Sequence, residues 1–351
     1  MKFTNITYKA LCYTKQAHQL IKQKTLNRTY MRNIQMPKPE LDIQYLCDPK
    51  HKSEIEQNIR NRKGVGNISR VAELYNALTN GSFTEKEKSN LQNEFESEAR
   101  QIPNKSSPLV SKYGETPKIV STVGSKTIFN FKPKAFNDIT NALHLARTEN
   151  LSNLAGHKSY YFMGELVELE QALIQFTVKR LLAKGFQLVS VPDILPAQII
   201  EGCGMKTRGD RTQVYKLDPH LYEGDLCLSG TSEMALAAFV MNHEFKENEL
   251  PLKLAAVSSC SDCTDYQSRR LNIKYRSSDS DVPIHAHTVN GTACAIPRTL
   301  IALLETHQQA DGSVEIPRPL QGYMKGKTSI QHQHNIPTFK FMRSKIRTPK
   351  D

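Results

Sequence analysis

Residues whose types and spacing suit chemistry fall in several places along the chain. Cys260 and Cys263, in the run LPLKLAAVSSCSDCTDYQSRR at 250–270, offer two thiolates at a spacing that zinc accepts. A structural zinc site needs four ligands, and the remaining candidates are His285 and His287 or the scattered Cys203, Cys227 and Cys294. None of these makes a second Cys-x-x-Cys or a spaced Cys/His pair, so zinc lacks a full ligand set. The plainer expectation is two small, apolar-behaving thiols in and beside a strand, with no metal bound.

Three further groups carry polar chemistry. Thr231-Ser232-Glu233 places a hydroxyl and a carboxylate at an expected strand-to-helix turn. They could simply cap the helix, with Glu233 favoured by the helix dipole, or form a socket for an ammonium group and a hydroxyl. In an expected strand over 285–296, Thr288, Asn290, Thr292 and Cys294 would share one face. Asn290 and Thr292 then offer an amide and a hydroxyl to a small polar ligand, or merely hydrogen-bond across the sheet. Arg298 follows Pro297 in the first turn of an expected helix, where a cation opposes the dipole. A purine ring and a phosphate would compensate it, and so would a neighbouring carboxylate.

The elements that must position these groups can be read from periodicity. Ile68, Val71, Tyr75 and Leu78 form one helical stripe, and TNGS at 79–82 breaks it. Thr84-Glu-Lys-Glu87 is a capping-box pattern opening a second helix with Leu91, Phe95, Ala99 and Ile102 inward. Two narrow stripes joined by a tight turn predict an antiparallel helical hairpin. Helical patterning returns over 139–151 and 164–183, where Gly185 stops it. FQLVSVPDIL at 186–195 reads as a strand with Pro192 near its end. LCLSGTSEMALAAFVMNHEF at 226–245 reads as a short strand, a turn with Thr231 as N-cap, and a helix. Residues 296–309 read as a last helix.

The 351 residues suffice for a main domain and one smaller module. Seven cysteines without a regular framework point to a reducing compartment, and no apolar run reaches membrane-spanning length. The net charge of +12 is uneven: residues 1–39 carry +8 with no acid, residues 325–351 carry +6, and the remainder −2. The acid-free N-terminus has the character of a mitochondrial transit peptide. A basic module binding RNA through its two ends is a weaker expectation, with steep salt dependence as its mark.

GTSE at 230–233, SSCSDCTDYQSRRLNIKY at 258–275 and HTVNGTACAIPRTLIALLETHQQADGSVEIP at 287–317 resemble seryl-tRNA synthetases, above all the mitochondrial ones of animals. LAGHKSYYFMGE at 154–165, VPDIL at 191–195 and EGCGM at 201–205 extend the resemblance over roughly residues 40–324. It implies an α+β protein. A basic arm at 1–39 would be followed by a tRNA-binding helical hairpin at 40–110 and a linker at 111–136. A class II catalytic domain at 137–324, an antiparallel sheet flanked by helices, would precede a basic tail at 325–351. Residues 164–192 match motif 1, the homodimer interface. Thr231, Ser232 and Glu233 match the serine-binding turn, and Asn290 and Thr292 the same pocket. Ser258, Ser259 and Arg298 match ATP-site positions, Arg298 being the catalytic motif 3 arginine. Serine, tRNA(Ser), ATP and Mg²⁺ are the implied reactants and cofactors, and mitochondrial translation in the matrix the setting.

The resemblance also predicts a seam. LPLK should lead into motif 2, whose arginine grips the α-phosphate and whose second strand bears a glutamate that helps seat serine. Instead LPLKLAAV runs directly into SSCSDCTDYQ, and the acid expected to help hold Mg²⁺ falls on Ala256. Losing one preorganised donor at the reacting centre costs about 3–4 kcal/mol, so a chain lacking motif 2 should not form seryl-adenylate at a useful rate. The alternative is a non-catalytic synthetase-like mitochondrial protein that binds tRNA or a synthetase partner.

Overall fold

The computed structural model describes residues 36–62, 64–113, 116–147, 159–209, 212, 214–222, 224–258 and 266–332. The basic arm as far as residue 35, Ser259, Cys260, Cys263 and the tail beyond 332 lie outside the described residues.

Helix α1 (Ile43–Cys47) starts behind Asp42, whose carboxylate accepts the Tyr45 N–H at 3.1 Å. α2 (Lys52–Asn61) turns Ile55 and Ile59 inward. α3 (Ile68–Asn80) is capped by Asn67, and α4 (Glu85–Gln101) by Thr84. The expected capping box forms in both directions: Thr84 N–H donates to Glu87 Oε2 at 2.9 Å, and Glu87 N–H to Thr84 Oγ1 at 3.4 Å. α4 buries only Phe95 and Ala99, so a cap worth about 0.5–2 kcal/mol is a large share of what holds it. The stripes meet in a cluster of Ile55, Ile68, Val71, Leu74, Phe95 and Ile102, with Tyr75 and Leu78 half-buried beside it. Arg70 Nη2 spans from α3 to Glu94 of α4 at 2.6 Å.

Further along, α5 (Phe136–Ala142) is shorter than the helix expected, because the chain leaves it at His144, in the left-handed region at φ 56°. β1 (Ala146–Arg147) and β2 (Tyr161–Phe162) then pair antiparallel. α6 (Glu165–Ala183) ends as expected, with Gly185 taking φ 81°. The single strand expected over 186–195 does not form. β3 (Gln187–Leu188) and β4 (Ile194–Pro196) are separate, with Pro192, which has no N–H for a ladder, in neither. α7 (Ala197–Gly202), β5 (Leu226–Leu228) and α8 (Ser232–Phe239) follow, the last two matching the expected strand, turn and helix. β6 (Glu244–Lys246), β7 (Leu254–Ala255), α9 (Tyr266–Leu271), β8 (Lys274–Arg276) and β9 (Ile284–His285) come next. Of the strand expected over 285–296 only His285 is laddered, together with Ile284 before it; from Ala286 to Ala295 the backbone is irregular. Thr288, Asn290, Thr292 and Cys294 therefore do not share a strand face. α10 (Ile296–His307), β10 (Val314–Glu315), α11 (Arg318–Gln321) and β11 (Ser329–Ile330) complete the described chain, with Pro297 in the first turn of α10.

One antiparallel sheet was expected; the described strands instead form five small ones. β1–β2, β4–β5, β8–β9 and β10–β11 are antiparallel, whereas β3–β7 and β6–β8 are parallel. Strands of two or three residues exchange too few hydrogen bonds to bridge one sheet to the next.

The chain divides into two compact units. One contains the residues up to Thr122, Ser190–Leu252 and Ser258–Gly291; its second core gathers Ile200, Cys227, Met234, Leu271 and Ile273. Gly202 ends α7 where a Cβ would stand 2.9 Å from Leu271 Cδ2, so glycine lets α7 approach α9. The other unit contains Val123–Val189, Lys253–Val257 and the chain from Thr292 onward. Its core packs Leu166, Leu169 and Leu173 of α6 with Leu300 and Leu304 of α10. Lys327 Nζ bridges Glu165 and Glu168 at 2.8 Å each, fixing the start of α6.

Candidate functional site

The 231–233 turn is built from both sides. β5 delivers the chain to Thr231, which is 1% exposed and caps α8, its Oγ1 accepting the Glu233 N–H at 3.0 Å. Glu233 thus stands in the first turn of α8, where the helix dipole favours an anion. From α9, Gln267 Nε2 donates to Glu233 Oε1. Gln267 is 2% exposed, so this contact is shielded from water. Ser232 is half-buried in the same turn.

Gln267 was not singled out from the sequence. The signal was present: Gln267, Arg270 and Leu271 lie at i, i+3 and i+4, so the inward stripe of α9 carries polar heads that need partners. Arg270 is 6% exposed and lies 3.3 Å over the Tyr266 ring, donating to the Tyr266 carbonyl at 3.0 Å and to the Arg100 carbonyl of α4 at 3.4 Å.

The other expected site residues are distributed as follows. Asn290 belongs to the same unit as the 231–233 turn, and its side-chain Nδ2 and Oδ1 are both buried without a hydrogen-bond partner. Leaving such a group unmet costs about 1–3 kcal/mol, which a polar ligand would relieve. Ser258 is in this unit too and is exposed just past β7. Thr292 and Arg298 belong to the other unit, where both are exposed. Thr231, Ser232 and Glu233 are therefore brought together with Gln267, while the side chain of Asn290 makes no hydrogen bond to them.

Four of the described candidates for a metal, Cys203, Cys227, His285 and Cys294, are buried or otherwise engaged. Burial, and after it the charge of Glu233, pushes the Cys203 thiol up to about 12, and burial likewise raises Cys227, so both stay protonated and poor ligands. His285 Nε2 meets Glu40 at 3.1 Å, and Cys294 Sγ lies 3.5 Å from Thr299 Oγ1. Among the described residues no three His, Cys, Asp or Glu side chains cluster to hold an ion, and Ala256 occupies the position where a Mg²⁺-binding acid was expected. The described residues thus assemble no all-protein cage for Mg²⁺. Among the described residues no helix is long and apolar enough to cross a membrane.

No family model matches the chain. It is 29% identical to the mitochondrial serine–tRNA ligase of Mus musculus over 342 aligned positions that take in 70% of this chain and 65% of that protein. The chain thus spans just under two thirds of that relative's length. It is 27% identical to the serine–tRNA ligase of Dictyoglomus turgidum over 403 positions, covering 84% of this chain and 93% of that one. In fold it resembles the cytoplasmic serine–tRNA ligase of Naegleria fowleri in complex with AMP, with a TM-score of 0.70 at 20% identity over 84% of this chain and 99% of that one. It also resembles the seryl-tRNA synthetase of Pyrococcus horikoshii complexed with ATP, with a TM-score of 0.54 at 21% identity over 93% and 95% of the two chains. In sequence the chain is similar to serine–tRNA ligases, and in fold to the class II architecture of seryl-tRNA synthetases.

Proposed function

We propose that the protein is by descent a serine–tRNA ligase of mitochondrial translation, and that this chain has lost efficient adenylate formation with motif 2. The observation that carries the reading is Glu233 at the start of α8, its N–H donating to Thr231 and its carboxylate accepting from Gln267, at the position the resemblance gives to serine recognition. An anchored carboxylate beside a hydroxyl suits the ammonium group of an amino acid. Asn290 and Thr292 would line the same pocket. Ser258, Ser259 and Arg298 would meet ATP, Arg298 stacking on adenine and reaching the triphosphate. The serine carboxylate would attack the α-phosphorus, releasing pyrophosphate, and the terminal tRNA hydroxyl would then take the seryl group, releasing AMP. No step is assigned to Mg²⁺, for which the described residues offer no ligand set.

The loss of an internal segment has its own support. The 342 positions aligned with the mouse protein take in only 70% of a 351-residue chain, so roughly a quarter of them have no residue of this chain opposite. The break falls, on this reading, between Val257 and Cys260. The same gap favours a second reading, a non-catalytic mitochondrial relative that binds tRNA or a synthetase partner. Joint retention of Thr231, Glu233, Asn290, Thr292 and Arg298 favours the enzyme lineage. In either case the hairpin at 40–110 would serve tRNA, residues 137–324 would be the catalytic domain, and the basic arm would direct import to the matrix. Residues 164–192 would form a homodimer contact, to which Val167, Leu182 and Leu188, exposed in the single chain, contribute apolar surface.

Serine-dependent ATP–pyrophosphate exchange tests the proposal. The chain should give background exchange, because loss of even one oxyanion-binding donor lowers turnover by about 10²–10³. Clear exchange would overturn the claim that adenylate formation is lost.

A further inference from the structure

Gln267 lies outside every site residue the resemblance assigns, yet its side-chain amide reaches the Glu233 carboxylate from a second element. We propose that Gln267 is a positioning residue that aims Glu233 at the ammonium group of the amino-acid ligand and so makes the turn select for that group. The inference rests on the serine reading of the turn.

An ionised carboxylate can only accept hydrogen bonds, so its orientation is set by the donors that reach it. The Thr231 cap fixes the backbone of Glu233 and does not reach its carboxylate. The Gln267 amide takes one carboxylate oxygen and restrains the side chain. Because the donor is neutral, it orients the carboxylate without cancelling its charge. An Arg or Lys there would compete with the ligand's own cation, a Glu would repel, and a Met would offer no donor. The Cys203 thiol at the end of α7, whose titration feels the Glu233 charge, is kept neutral by burial. The short helix that carries Gln267 is itself pinned. Ser268 is fully buried and its carbonyl accepts the Ile273 N–H at 3.0 Å, the Arg269 carbonyl accepts the Glu40 N–H at 2.8 Å, and Arg270 reaches the Arg100 carbonyl. Leu271 packs against Gly202, and Tyr266 against Gly204. A donor mounted on an element held at so many points can define a direction, which a surface glutamine cannot.

The test compares L-serine with 3-hydroxypropionate, which has the same hydroxyl and carboxylate and no ammonium group, by titration calorimetry on the full chain. The wild type should prefer serine. Gln267→Met should weaken serine about tenfold, the loss expected for one charge-assisted hydrogen bond, while 3-hydroxypropionate stays within about twofold. Parallel loss of both ligands, or no loss of serine, would overturn the proposal, since a merely structural glutamine treats them alike. A wild type without preference would overturn the serine reading itself and this inference with it. Should Gln267→Met not fold, the side-chain amide resonances of Gln267 in ¹⁵N-labelled wild type decide. They should move with serine and not with 3-hydroxypropionate, and resonances indifferent to serine would sink the idea.

Discussion

Asn290 and Gln267 both hide carboxamide atoms from water, and they differ in what meets them. Gln267 spends its donor on a carboxylate, whereas Asn290 has neither its nitrogen nor its oxygen satisfied by the protein. That asymmetry makes opposite outcomes expected for the two. Asn290→Leu keeps the branching pattern, at a somewhat larger volume, and removes the unmet polar pair, so urea unfolding should show it stabilised by about 1 kcal/mol while serine affinity disappears. A destabilised variant would mean that Asn290 is a packing residue. Gly202 makes a purely structural contrast. In Gly202→Ala the new methyl would crowd Leu271, which is fully buried, and chemical denaturation should register a loss of about 1–3 kcal/mol.

Among the elements, those whose cause is local were legible in the sequence and those whose cause is a distant partner were not. The Thr84–Glu87 capping box, the Thr231 cap, the Gly185 stop and the hairpin stripes depend on residues within one or two turns, and each formed. The strands over 186–195 and 285–296 shrank to a few residues, because a strand exists only where a neighbour accepts its ladder. The burial of Gln267 is legible in the stripe of α9, but its role is not, because that comes from Glu233, 34 residues away. Thr84→Ala should release the start of α4, costing about 1 kcal/mol, with faster amide exchange over its first turn and none at α8. A second element-level device joins the segment before α1 to β8 and β9. Glu40 contacts Lys274 at 2.7 Å and His285 at 3.1 Å. Burial, and then the Arg269 charge, holds the His285 pKa below 6.5 against the pull of Glu40. The folded state therefore binds fewer protons there than the unfolded one. That stability is complete above about 6.5 and drains away as pH falls below it. Glu40, held below 4.5 chiefly by the Lys274 hydrogen bond, adds a loss in the same direction below that value. Thermal midpoints should fall between about pH 7 and pH 5, and His285→Gln should flatten the fall; an unchanged slope would remove His285 as its source.

At the scale of the molecule, many small sheets mean many edges. Most described strands of the two-stranded sheets are paired on one side only, β5 and β10 being bridged on the other by Lys216 and Gln308, and Ile119, Val120, Val123 and Ile128 stand 79–96% exposed along the linker. Open edges and bare apolar side chains invite association. Sedimentation should show mass rising with concentration, and a strictly monomeric chain at high concentration would contradict this. The threading has a further cost, paid in time. Because neither compact unit is continuous along the chain, no single cut could release one intact. During synthesis, Leu166, Leu169 and Leu173 would emerge long before Leu300 and Leu304 that cover them. At about 5–20 residues per second that interval is on the order of ten seconds, during which the apolar face of α6 stands bare and open to capture by a chaperone.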